Sequence, residues 1–332
     1  MQDVTDLNFM RTVANFGAPD VFVTEYLRVH KDSRLEERIL APMLAQDLST
    51  PVCLQLIGED LPHIARIIKD ALKHPEIKYL DLNLGCPAPK VYRKNVGGAL
   101  LKDRKKIGEI LRLMRAEWPH VLSTKMRTGF ADASQFDDLV KCVCDCGVDF
   151  ITLHARTVKQ LYRPSADHSY TKRAVVLAGD IPVVANGDIT SAFVAKKNLE
   201  DTNCAGLMMG RSAMRNPWIF RQTRELLVEH KSPSQIFRPT FADVRKYVDS
   251  ILENSQKYNP KVGNLAGRLK KFLNFIATSI DPDGAFLLQM RRTQSLDELL
   301  KVCDTHLIEN GRANTLMSDE PFDALCARPN HE

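Results

Sequence analysis

No apolar run in the 332-residue chain is long enough to cross a bilayer, which needs about 20 consecutive apolar residues. A charged n-region followed by an apolar h-region is also missing at the start, so no secretory signal is read. Eight cysteines are scattered without the spacing of a small disulfide scaffold and read as reduced thiols of an intracellular, cytoplasmic protein. Internal repeats and low-complexity tracts are absent, which excludes solenoids and linker proteins. The net charge is only +5, compatible with an RNA partner without demanding one. Cys142-Val143-Cys144-Asp145-Cys146 lacks the two-residue spacing of common zinc pairs and sits in a helical pattern, so no metal is expected.

What is present is a strand–helix alternation. Near-continuous apolar runs at Val21–Tyr26, Pro51–Gly58, Tyr79–Leu84, Val121–Arg127, Phe150–Leu153, Ile181–Ala185 and Gly206–Met209 alternate with amphipathic helical patterns. Strands apolar on both faces imply a parallel sheet covered by helices, here a (β/α)8 TIM barrel. The count is seven, one short, and the chain opens on a loop and a helix near Leu7, so the first strand is expected to be missing. From Phe241 the pattern is purely helical. The expected domains are a barrel over 1–232, a small helical domain over 235–312 and a loose tail over 313–332.

Successive strands end in polar residues that a core would not hold. They are Gln55, Asn83 with Cys86, Lys125 with Arg127, His154 with Arg156, Asn186-Gly187-Asp188, and Gly210-Arg211. Any one alone reads as a satisfied core group; six in succession converge on one barrel mouth. Cys86, in the Gly85-Cys86-Pro87 turn, is read either as a small core residue or as a reactive thiol. Asn186-Gly187-Asp188 and Gly210-Arg211 suggest a phosphate site, with a plain tight turn as the alternative for the first. A phosphate-bearing ligand that also meets Gln55, Lys125 and His154 is long and polar along one edge, and FMN fits.

Asp81-Leu82-Asn83-Leu84-Gly85-Cys86-Pro87, Lys94–Leu101, Lys125–Gly129, His154–Thr157, Ala185–Ile189 and Met209-Gly210-Arg211 together resemble the tRNA-dihydrouridine synthases. Two shorter segments, Thr24–Val29 and Lys159–Arg163, resemble most the subfamily acting on uridine 16 of the D-loop. The resemblance implies that NADPH reduces FMN, that reduced FMN passes a hydride from N5 to C6 of a tRNA uracil, and that Cys86 protonates C5. It implies substrate contacts from Asn83, Lys90, Arg93, Lys94 and Arg163, although the four cations read equally well as solvated surface. A basic face with Arg268, Lys270 and Lys271 is a further candidate. The chain is expected to be a monomer. Two other functions remain open at this point: an FMN barrel reducing a free small molecule in the manner of dihydroorotate dehydrogenase, and a non-catalytic tRNA-binding relic. The family begins with a strand ending Ala-Pro-Met, whereas Ala41-Pro42-Met43 falls in a later connection.

Overall fold

The computed structural model describes residues 4–258 and 264–318. In chain order it runs α1 (Leu7–Gly17), β1 (Phe22–Val23), β2 (Leu27–Arg28), α2 (Glu37–Leu44), β3 (Val52–Ile57), α3 (Leu61–Ala71), β4 (Tyr79–Leu84) and α4 (Pro89–Tyr92). A 3₁₀ segment at Gly97–Lys102 leads to α5 (Arg104–Glu117), β5 (Val121–Arg127), α6 (Phe136–Cys144), β6 (Phe150–His154), α7 (Ser169–Ala178), β7 (Val183–Asn186), α8 (Ala192–Thr202) and β8 (Gly206–Met208). Then come α9 (Arg211–Arg215), α10 (Ile219–Leu227), α11 (Phe241–Tyr258), α12 (Leu265–Ile280), α13 (Ala285–Arg292) and α14 (Leu296–Leu307). No described helix is long and apolar enough to cross a membrane.

The chain divides into two compact units. One holds residues 4–6, 20–189 and 197–208; the other holds 7–19, 190–196 and the described residues from 209 on.

The first unit is the TIM-barrel sheet. All strands are parallel in the order β1-β3-β4-β5-β6-β7-β8, with β2 also pairing β3. The sheet has eight strands rather than seven because only Phe22–Val23 of the expected Val21–Tyr26 strand pairs, and a second short strand, Leu27–Arg28, follows just beyond that range. The break has a local cause. Thr24 Oγ1 accepts the Gln55 N–H at 3.1 Å, so a side chain replaces a ladder bond there. Glu25 turns inward, accepting the Val4 N–H at 2.8 Å and pairing with Arg38. Among the described residues no pairing joins β8 back to β1 or β2. Helix α2 covers the Ala41-Pro42-Met43 segment, with Pro42 inside it and both Ile39 and Pro42 buried. The core lies between strands and helices: Leu54, Leu56, Leu80, Leu82 and Leu122 meet Ile64, Ile67, Ile110, Leu111 and Met114, all essentially inaccessible. Each such side chain contributes about 1.5–3 kcal/mol on burial. Trp118 is also fully buried, and its ring N–H donates to the Val121 carbonyl at 3.0 Å.

The second unit is helical. Phe9 of α1 stacks on Phe272 of α12 at 5.1 Å between ring centroids. Phe16 meets Trp218 and Tyr247 edge-on. The anticipated α11 stripe Val244, Tyr247, Val248, Ile251 and Leu252 is buried. Ser295 caps α14 through the Glu298 N–H, and Glu298 returns a bond to the Gln294 N–H. Within the expected tail, Met317 N–H donates to the Pro239 carbonyl at 2.8 Å and Thr315 accepts from Phe241 N–H at 2.8 Å. The rest of that tail, 319–332, lies outside the described residues.

Candidate active site

Strand register sets the site. In a parallel ladder, partner residues point to one face, and so do residues two apart along a strand. Gln55 pairs with Asp81 and Asp81 with Ser123, forming one row. Two residues on, Asn83 pairs with Lys125 and Lys125 with Thr152. Two further on, Arg127, His154, Asn186 and Met208 form a third row. Three rows, polar but for Met208, thus run along one face of the sheet from mid-strand to the C-terminal ends.

A relay of hydrogen bonds runs through the first two rows. Ser123 Oγ donates to Asp81 Oδ1 at 2.7 Å, and Gln55 Nε2 donates to Asp81 Oδ2 at 2.9 Å. Gln55 Oε1 accepts from Asn83 Nδ2 at 2.8 Å. Asn83 Oδ1 accepts the backbone N–H groups of Gly85 at 3.0 Å and Cys86 at 2.9 Å. The relay therefore starts at a buried carboxylate and ends by bending the chain at Cys86. Gly97 and Gly98 close behind that turn. A Cβ on Gly98 would lie 2.5 Å from Val158 Cγ2 and 2.8 Å from the Cys86 carbonyl, so only glycine fits there.

Burial raises the Asp81 pKa to about 6, against bonds from Ser123 and Gln55 and the nearby Lys125. Burial, helped by the Arg127 charge, lowers Lys125 to about 8, while Asp81 and Cys86 pull it upward. Burial pushes the half-buried Cys86 thiol up; the Ala88 N–H and the cations Arg127, Lys125 and Lys90 pull it down. Cys86 is thus a thiol at neutral pH, with four groups placed to stabilise the thiolate it becomes on losing a proton. Lys125 has no hydrogen-bond or ion-pair partner among the described residues, although it is half-buried.

The third row is held differently. The buried Arg156 pairs with Asp188, donates to the Pro164 carbonyl at 2.6 Å, and lies 3.2 Å from His154 Nε2. A guanidinium only donates, so in this contact His154 Nε2 is the acceptor. Gly187 sits at φ +116°, and a Cβ there would lie 2.8 Å from Ala166 Cβ and 3.3 Å from His154 Cδ2. Asn186 Nδ2 donates to the Met208 carbonyl at 2.8 Å. Arg127 donates to the Gly85, Thr157 and Leu161 carbonyls, tying the loop after β6 to the Cys86 turn.

The structure therefore gathers Gln55, Asn83, Lys125, His154 and Asn186 on one sheet face, with Cys86, Gly187 and Asp188 in the turns just past the ends of β4 and β7. Gly210 and Arg211 belong to the other unit, where Gly210 precedes the short α9. Lys90, Arg93 and Lys94 are exposed on and just after α4; Arg163 is exposed on the loop after β6. Asp81 and Ser123 were missed by sequence reasoning, though their signal was present: an Asp in mid-strand, two residues before Asn83 and so on its face.

The arrangement fits a flavin. A half-buried ammonium without a hydrogen-bond or ion-pair partner among the described residues suits an anionic ring edge, and after the relay Gln55 keeps one N–H and one lone pair for a ring amide.

Residues 1–279 match the dihydrouridine synthase (Dus) family. The chain is 32% identical over 275 residues to a probable tRNA-dihydrouridine synthase of Rickettsia bellii, covering 80% of each chain. It is 28% identical over 312 residues to the tRNA-dihydrouridine(16) synthase of Neisseria meningitidis, covering 91% of each. With tRNA-dihydrouridine synthase B of Pasteurella multocida it shares 31% identity over 233 residues, covering 70% of this chain and 69% of the relative.

Proposed function

The chain belongs to the dihydrouridine synthase family of flavin-dependent oxidoreductases, and on that premise we propose that it reduces uridine to 5,6-dihydrouridine in tRNA, using FMN and NADPH. Uridine 16 is the position to assay first, since the Neisseria relative that this chain resembles over 91% of its length carries that specificity in its name. The chemistry FMN supplies when bound is delivery of a hydride, taken from NADPH, to C6 of the uracil.

The chain's own residues do the rest. Cys86 gives its proton to C5. Burial keeps that proton on sulfur before the reaction, and Lys125, Arg127, Lys90 and the Ala88 N–H stabilise the thiolate left behind. Lys125, Gln55 and His154 hold the polar edge of the flavin ring, and the Lys125 ammonium balances negative charge there. Asn186, Gly187 and Asp188 take the phosphate end, where Arg156 neutralises Asp188. For Gly210 and Arg211 the family resemblance alone supports a phosphate role. Asn83 holds the Cys86 turn and stands next to Lys125 in register, which supports its place against the uracil.

The observation that carries this reading is the Cys86 turn held by Asn83, whose register partner Lys125 has no hydrogen-bond or ion-pair partner among the described residues. The test is a visible spectrum of the protein with added FMN, followed by NADPH and tRNA, with dihydrouridine read by mass spectrometry. A bound-flavin spectrum and dihydrouridine at one position support the proposal; bound flavin that reduces free orotate but not tRNA would replace it with the small-molecule reading.

A further inference from the structure

A groove between α5 and α6, within the first unit, holds a cavity of about 390 Å³. Ligand pockets run from about 300 to 1,000 Å³. The same two helices bury Ile107, Ile110, Leu111, Leu139, Val140 and Val143 toward the strands, so the groove lies on the solvent side of the helix layer, away from the polar sheet face. Helix α5 lends Arg104, Lys105, Gly108 and Arg112 to the lining, and α6 with its C-cap lends Asp138, Lys141, Cys142 and Asp145. Both sets recur at the three- and four-residue spacing of one helix face. Arg104 pairs with Asp138. Lys105, Arg112 and Lys141 form no ion pair among the described residues. Four cations against two carboxylates leave two positive charges in excess, and they repel one another unless an anion sits among them.

The floor of the groove is built for a guanidinium. Gly108 stands inside α5, where glycine costs about 0.5–1 kcal/mol relative to alanine. A Cβ there would lie 3.0 Å from an Arg112 guanidinium nitrogen, so the bare backbone is what lets Arg112 lie along the helix. Cys142 forms part of the facing wall, and its thiol donates to the Arg104 carbonyl at 3.4 Å. Burial raises the Cys142 thiol, and Arg112 and Arg104 pull it down, so both guanidinium charges reach that sulfur. No aromatic ring lines the cavity, which leaves a nucleic-acid base nothing to stack on. A planar fork flanked by lysines suits a phosphate group, and the volume leaves room beyond it for a body that meets Asp145 through a hydroxyl or an ammonium.

We propose that this groove binds a small phosphate ester, with Arg112, Lys105 and Lys141 on the phosphate and Asp145 on a donor of the ligand's body. The site is separate from the reaction proposed above and does not depend on it.

Cys142 is a reporter built into the wall. Its alkylation by iodoacetamide, a neutral reagent, is followed by peptide mass spectrometry in the full chain. Glycerol 3-phosphate and inorganic phosphate are the probes, with sodium chloride at matched ionic strength as the control. A bound phosphate covers the sulfur and cancels the charges that favour its thiolate, so alkylation should slow about two-fold when the probe equals its Kd, and then saturate. Cys144, on the same helix but outside the cavity, should keep its rate. Lys105→Gln/Arg112→Gln/Lys141→Gln should lose the protection; all three positions are exposed, and an unchanged urea midpoint shows that the fold is kept. The ester should protect at lower concentration than inorganic phosphate, and Asp145→Ala should remove that advantage. Protection that chloride reproduces, equal slowing at Cys144, or full protection in the triple variant would overturn the proposal. A free ion that protects as well as the ester would overturn the assignment to an ester. Protection by an oligouridylate but by neither phosphate compound would overturn it in favour of RNA.

Discussion

Replacing Asp81 by Asn tests the relay beneath Cys86. A carboxylate only accepts, so it forces Gln55 to present Nε2 to it and Oε1 to Asn83. That in turn forces Asn83 to present Nδ2 to Gln55 and Oδ1 to the two backbone N–H groups of the turn. Reversing any amide would set donor against donor. Asn at 81 can keep its Oδ1 toward Gln55 and its Nδ2 toward Ser123 Oγ, so geometry survives and only the charge is lost. The folded carboxyl titrates at about 6, against an ordinary 3.8, because burial disfavours its ionised form. The sign follows. A carboxyl with a raised folded pKa stabilises the fold most below the unfolded pKa, and that contribution is lost as pH rises through the folded one. The gap between 3.8 and 6 corresponds to about 3 kcal/mol. The stability of wild type minus that of Asp81→Asn should therefore fall by about 2.4 kcal/mol of that total between pH 4 and pH 7. Urea unfolding of both proteins over this range measures it, provided the m-values match. A flat difference would refute the buried, ionised Asp81. Asp81→Leu is the contrast: it strands the Gln55 and Ser123 donors, at about 1–3 kcal/mol each.

The other perturbations act at the same sheet face. Cys86→Ala should bind FMN and tRNA but lose turnover, since no other thiol lies at the turn; dihydrouridine at wild-type levels would remove Cys86 from the chemistry. Lys125→Met should raise stability at pH 7 by up to about 3 kcal/mol, because a pKa held near 8 means burial penalises the charge, and should weaken FMN binding. A drop in melting temperature with FMN affinity unchanged would count against both halves. In wild type, turnover should fall as pH rises through about 8, where Lys125 loses its proton before Cys86 does, whereas a plateau to pH 10 would separate Lys125 from the reaction. Gly187→Ala combines a φ of +116° with the approach to Ala166 and His154, and should destabilise by about 1–3 kcal/mol, read as a lower urea midpoint.

The strands and their polar ends were legible because each is a short apolar run closed by a residue type that a core rejects. What escaped depended on pairs distant in sequence. Arg156 and Asp188 are 32 residues apart, and nothing local announces that the guanidinium neutralises the turn. The early end of the first strand at Val23 escaped because Val21–Tyr26 is β-prone throughout, and the interruption comes from Thr24 bonding to Gln55, 31 positions on. Helix α2 was obscured by Pro42, which removes one N–H from a helix of eight residues yet is buried against the barrel. The amphipathic face of α1 was readable, but a stripe of Phe9, Met10 and Val13 does not say which partner covers it. Its place against Phe272, in the helical unit, comes from tertiary packing alone.

The electrostatics of the sheet face show why a thiol suits this position better than a carboxyl or an ammonium. A proton donor at neutral pH must hold its proton beforehand and tolerate the charge afterwards. Burial alone would satisfy the first demand and defeat the second, as at Cys53, where burial next to Asp81 pushes the thiol well up with no cation beside it. Cys86 lies two residues past the end of β4, where the same apolar cluster meets Lys125, Arg127 and Lys90. Desolvation and cationic stabilisation therefore act on one sulfur in opposite directions. The relay from Asp81 matters because it keeps the Cys86 N–H bound to Asn83 Oδ1, and with it the turn that places the sulfur between these two influences. Shifting that turn toward the cluster interior would strengthen burial and weaken the cations, turning the acid proposed at Cys86 into an inert core cysteine.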